Sequence, residues 1–248
     1  MSSPARRAPI LGLITLATTV AVIGPATALD PGEAHLPNLQ VRRAGNITLD
    51  DVAGELRFTN TVINVGDGPL ELRPEHAPDD TTTAYQRIFT HDQLGAWSLL
   101  SESAVGTFIF HPTHDHWHFG GFARYQLRRV APDGGAGKVI RAAADKVSFC
   151  LTDTTVVRPE LEHAPGARVY PVACDPYQIQ GISVGWADVY LWWLPDQSID
   201  VTGVRDGHYW LTTTVDPDDT LAETDDTDNS RSRRITIADG EAVAGWRR

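Results

Sequence analysis

The chain has 248 residues, with 32 Asp and Glu against 21 Lys and Arg, a formal charge of −11 at pH 7. That acidic excess argues against nucleic acid as a partner, because polyanions are bound through clustered cations. It suits cationic substrates or bound cations, or simply solubility, and the length allows one domain with a single sizeable core.

Residues 1–28 read as a secretory signal peptide. A basic start at Arg6 and Arg7 leads into a mostly apolar run and an A-x-A-like site at Ala26-Thr27-Ala28, so the mature chain is expected to begin near Leu29. Arg6-Arg7 also fits a twin-arginine signal, although Ala8-Pro9 stand where a hydrophobic consensus is expected. No later segment approaches the roughly 20 apolar residues of a membrane helix, so the expected product is secreted and extracellular with no retained membrane segment. Residues 29–248 form one expected domain.

Short stretches rich in β-branched and aromatic residues then follow one another between turns. They are "ELRFTNTVINVG", "GFARYQLRRV", "KVSFCLTDT", "ADVYLWWL", "HYWLTTTVDP" and "SRRITIA". No window sustains a long 3.6-residue period. The expected fold is therefore all-β, an antiparallel β-sandwich with little helix and long connections that carry the chemistry. Pro74 to Leu94, with "EHAPDDTTTAY", reads as a long loop. Cys150 and Cys174 both lie in the exported part, where a disulfide is the natural state; closing that loop would contribute about 3 kcal/mol.

"HPTHDHWHF", His111 to Phe119, holds four of the nine histidines. On a strand His114, His116 and His118 share one face, whereas on a helix His116 would turn about 200° away from His114. The outer two Cα atoms of a flat strand lie about 13 Å apart, so joint ligation of one ion requires the segment to bend. Pro112 and Gly120-Gly121 supply residues for a bend. Neutral imidazole suits copper or zinc, and three ligands leave a position open for chemistry. His111 breaks the alternation, which leaves it as a ligand, a neighbour of the ligands or a substrate contact.

The row, the aromatic strand after it and "QGISVGWADVYLWWLPDQSIDVTGVRDGHYWLTTTVDPDDTLAETDDTDNS" resemble the lysyl oxidases over roughly His111 to Ile237, with a weaker match at "LPNLQV" and "LRFTNTVINVG". The resemblance implies a copper-dependent amine oxidase that turns primary amines, peptidyl lysine or alkylamines, into aldehydes with release of ammonia and hydrogen peroxide. Copper falls to His114, His116 and His118. The family's self-made cofactor, lysine tyrosylquinone, falls to Lys146 in "KVSFCL" and Tyr190 in "DVYLWWLPDQSIDVTGV". Oxygen is the co-substrate, and Lys146 must lose its proton before its amine can attack the oxidised ring of Tyr190. Asp188, two residues before Tyr190, is the first candidate for the base that removes the substrate's α-proton.

Calcium is a further implied ion, at the acidic turn "LAETDDTDNS" and the segment "LPNL". The ligands would be Glu223, Asp225, Asp228 and Asn229 with Asn38 and the Leu39 carbonyl. Asn38 stands where the family often has aspartate. Thr113 replaces a cysteine that animal members carry within the histidine motif, and accessory domains of those members have no counterpart here. Two other readings compete. One is a non-catalytic metal-binding β-sandwich of the adhesion type, which quinone formation would exclude. The other is a cupin-type dioxygenase, which lacks a suitably spaced glutamate and distant histidine.

Overall fold

Alternation of β-branched and aromatic residues with polar ones sets the strands of this molecule, whose computed structural model describes residues 33–75, 81–91 and 96–246 and omits the side chains of Asp145 and Lys146. The expected signal segment lies outside the described residues. In chain order the strands begin with β1 (Leu39–Val41), β2 (Gly45–Asp50), β3 (Glu55–Asn64), β4 (Leu70–Pro74) and β5 (Thr81–His91). Next come β6 (Trp97–His111), β7 (His116–Val130), β8 (Ala136–Phe149), β9 (Thr155–Val156) and β10 (Gln180–Ile182). The last are β11 (Trp186–Tyr190), β12 (Ser198–Asp200), β13 (Gly207–Val215), β14 (Ser230–Ala238) and β15 (Glu241–Ala244). One 3-10 turn, Asp226–Asp228, is the only helical element among the described residues, and none there is long and apolar enough to cross a membrane.

Every strand pair is antiparallel. A six-stranded sheet is built around β3, which pairs with β1, β2, β11 and β12, while β9 adds to β11. A nine-stranded sheet runs β10-β4-β5-β6-β7-β13-β14-β15, with β8 also on β7. Phe58 of β3 meets Tyr125 of β7 edge to face, ring centroids 4.8 Å apart, so the two sheets share one core. Each such ring contributes about 1.5–3 kcal/mol by leaving water.

The expected all-β sandwich is the observed fold, with one correction. Thr81–His91, read from sequence as part of a loop, is an eleven-residue strand paired with β4 and β6. Its burial alternates residue by residue from Thr82 to Ile88, the pattern of a strand with one face inward. The Pro and Asp residues before it masked that pattern.

Cys150 and Cys174 are joined, with Cα atoms 5.8 Å apart. The bridge fastens the end of β8 to the long β9–β10 connection. Asp153 secures the same connection: its carboxylate, fully buried, accepts from Ser183 N–H and Oγ–H and from the N–H groups of Val169 and Tyr170.

Candidate functional site

The histidine row bends as joint ligation requires. β6 and β7 form a hairpin in which His111 stands opposite His116, and the turn Pro112 to Asp115 closes on the His111 carbonyl, which accepts from His114 and Asp115 N–H. Asp115 takes the left-handed conformation, φ 55°, that short Asp side chains tolerate. Beyond the turn His116 and His118 project from one face of β7 while Trp117 enters the core on the other.

The result is a cluster of four imidazoles. His116 Nε2 lies 2.9 Å and His114 Nδ1 3.2 Å from His118 Nε2. Nitrogens around a tetrahedral metal with bonds of 2.0–2.1 Å are separated by about 3.3 Å, close to this spacing. His111 stacks on His114 at 4.2 Å, and one ligand nitrogen each from His111, His114 and His118 fits within 4.8 Å, so this trio could also hold a metal ion. Buried His111 Nδ1 and His114 Nε2 have no hydrogen-bond partner. Asp196 Oδ2 stands 3.7 Å from His111 Nε2 and 3.8 Å from His114 Nε2.

Burial favours the neutral form of His114, His116 and His118. His118, 1% exposed, is pushed down to about 3, first by desolvation and then by the charges its neighbours would carry. His114 and His116 are lowered for the same reasons. Neutral imidazole is the ligating form. Ser148 Oγ, 3.1 Å from His118 Nδ1, fixes that ring from behind.

β11 carries Tyr190 opposite Asn60 and Asp188 opposite Val62 of β3. Tyr190 Oη accepts from Cys150 N–H at 2.5 Å, and its ring lies 3.8 Å from that of Phe149. Burial, and then the Asp188 carboxylate, push the Tyr190 phenol well above its ordinary range. Asp188 is 3% exposed, its Oδ2 has no hydrogen-bond partner, and burial raises its carboxyl well above the usual carboxylate range. Both residues line a cavity of about 400 Å³ together with His114 and His116.

The backbone of Lys146 runs in β8 between Ala144, opposite Tyr125, and Val147, opposite Ala123; its side chain lies outside the described residues. Val147, Ser148 and Phe149 share a cavity of about 210 Å³ with His118 and Tyr190. β8 therefore ends beside both the histidines and the tyrosine.

The acidic turn folds against the start of β1. Glu223 accepts from Leu39 N–H at 2.5 Å and from Asn229 Nδ2 at 2.9 Å, and Asp228 Oδ2 accepts from Gln40 Nε2 at 2.5 Å. Asn38 Oδ1, Asp228 Oδ1 and Asn229 Oδ1 are buried and have no partner. Desolvation raises Glu223 to about 8. These orphaned oxygens and a carboxylate held out of its charged form fit a hard cation. Asp225 is exposed and instead caps the 3-10 turn, accepting from Thr227 N–H at 2.9 Å. Leu39 meets the turn through its N–H.

Sequence reasoning missed Asp196 and Ser148. Asp196 sits in an ordinary "LPDQ" turn, and Ser148 was legible only as part of the "KVSFCL" context.

The family model described as Lysyl oxidase matches residues 90–244. Human Lysyl oxidase homolog 3 is 34% identical over 138 residues, 55% of this chain and 16% of its own length. Cattle Lysyl oxidase homolog 2 is 28% identical over 177 residues, 69% of this chain and 21% of its own length. Human Lysyl oxidase homolog 1 is 34% identical over 124 residues, 50% of this chain and 19% of its own length. The aligned part thus spans about a fifth or less of these relatives. With the family model covering more than half its length, and the hairpin, β11 and the acidic turn all inside the match, the chain belongs to the lysyl oxidase family.

Proposed function

We propose that the protein is a copper-dependent oxidase of primary amines, acting outside the cell after export directed by residues 1–28. One observation carries the reading: a single cavity is bounded by His114 and His116 of the β6–β7 hairpin and by Asp188 and Tyr190 of β11 in the other sheet. Copper held by His114, His116 and His118 would supply oxidising chemistry with oxygen, and a lysine tyrosylquinone from Lys146 and Tyr190 would supply the electrophile for the amine.

The chain's own groups have separable tasks. His114 and His116 each bring a ring nitrogen to His118 Nε2, burial favours the neutral form of all three rings, and Ser148 holds the most buried one. Cys150 N–H fixes the Tyr190 oxygen and Phe149 fixes its plane. Asp188 Oδ2, with no other partner, takes the proton from the carbon that bears the amine; burial raises its carboxyl above the ordinary carboxylate range, which strengthens it as a base. Exposed Trp192 and Trp193 share an open depression with Asp50, Asp51 and Arg57, whose guanidinium is paired with Glu55; its carboxylates and ring faces suit an ammonium group. Calcium, held through Asn38, Glu223, Asp228 and Asn229, would brace β1 against the acidic turn.

The test is expression of the full chain with copper in air, read by visible absorbance, a quinone redox-cycling stain and peroxide release from alkylamines and a lysine peptide. Wild type is expected to give all three signals and Lys146→Ala and Tyr190→Phe none. A folded, copper-loaded wild type without quinone would sink the oxidase reading and leave a metal-binding module of the adhesion type.

A further inference from the structure

A second histidine cluster lies at the other end of β6. His35, before β1, His91, the last residue of β5, and His163, in the β9–β10 connection, each offer a ligand nitrogen, all within 4.8 Å of one another. The two clusters are separate, because β6 runs unbroken from Trp97, opposite His91, to His111. Fifteen extended residues span roughly 45 Å.

The surroundings of the three rings argue for more than chance packing. Asp67 anchors two of them from behind: its carboxylate Oδ2 is 3.1 Å from His35 Nδ1, and its carbonyl oxygen is 2.9 Å from His163 Nδ1. The other carboxylate oxygen accepts from Leu36 N–H at 3.1 Å, which fixes Asp67 itself. A histidine that donates Nδ1–H to a carboxylate or a carbonyl presents Nε2 as a lone pair, the arrangement found behind ligating imidazoles. Glu162 Oε1, on an exposed side chain, lies 3.8 Å from His163 Nε2. Trp97 packs on all three rings, with centroids 4.0 Å from His91, 5.1 Å from His163 and 5.3 Å from His35.

We propose that His35, His91 and His163 form a second transition-metal site, of the zinc class, that pins the chain's early segment and the β9–β10 connection to the end of the β5–β6 hairpin. Imidazole donors select zinc or copper over calcium or magnesium. Three ligands from three distant segments would tie those segments together through one ion. The site is independent of the oxidase reading, since none of its residues lines the Tyr190 cavity.

The test uses the full chain carrying His114→Ala, His116→Ala and His118→Ala, stripped with a chelator, exposed to zinc chloride in buffer containing calcium, and desalted. One equivalent of retained zinc is expected by elemental analysis, falling to none when His91→Ala or His163→Ala is added. Asp67→Asn should weaken zinc binding by about 10- to 100-fold. Failure to retain zinc, or retention unaffected by every one of these changes, overturns the proposal. Should the added substitutions prevent folding, anomalous scattering at the zinc edge from crystals of the zinc-loaded parent decides. A peak among the three rings supports the site, and zinc found only elsewhere overturns it.

Discussion

The two histidine clusters are built from the same side chain and differ in how the chain delivers it. His111, His114, His116 and His118 come from one hairpin, so a turn and a strand face suffice to gather them. His35, His91 and His163 come from three segments that meet only when the sheets are complete. The first cluster opens on a cavity with a tyrosine and an unpartnered carboxyl; the second is backed by Asp67 and packed by Trp97. Local assembly leaves the surroundings free to specialise for chemistry, whereas assembly across the fold makes the metal a brace.

The largest expected difference between them concerns protons. Asp188→Asn should lower kcat/KM for amines by roughly 10²–10⁴-fold and remove an acid limb lying above the ordinary carboxylate range. His163→Ala should leave that limb in place, as pH–rate profiles of the two variants would reveal. Cys174→Ser should cost about 3 kcal/mol in denaturant melts and weaken metal binding at the hairpin, because Cys174 O accepts from Trp117 N–H between His116 and His118. Zinc retention at the second cluster should survive, since Asp153 still clamps Val169 and Tyr170. Joint loss would mean that the connection as a whole governs both sites.

Smaller still, Ser148→Ala should weaken metal binding about 10- to 100-fold at the four-histidine cluster alone, mirroring Asp67→Asn at the other. The acidic turn is a third kind of site for comparison. Glu223, raised to about 8 in the folded chain, binds its proton more tightly folded than unfolded. Its contribution is therefore complete below the unfolded value of 4.5 and is lost as pH rises through about 8. Thermal melts in chelator should show a midpoint that falls between about pH 5 and about pH 9, flattened by Glu223→Gln or by calcium.

Legibility followed the same division between local and distant. β3, β7, β13 and β14 are visible in sequence because each alternates over enough residues to declare a buried face, and the hairpin histidines because their spacing is itself the signal. β5 was hidden, since "HAPDDTTT" places turn formers against the strand's first residues. Asp196 and Ser148 act only through neighbours that folding brings to them. His35, His91 and His163 are lone histidines in sequence, and the long-range pairings that unite them leave no periodic trace.

Cys150 does three things within a few ångströms. It ends β8, its N–H holds the Tyr190 oxygen, and its sulfur reaches the residue whose carbonyl holds Trp117. Thiol oxidation is thereby wired to the geometry of both the tyrosine and the histidine hairpin. Under the proposed oxidase function this would amount to a checkpoint: in a reducing cytosol the cross-link does not form, and the peroxide-producing site would stay unassembled until the chain reached an oxidising compartment.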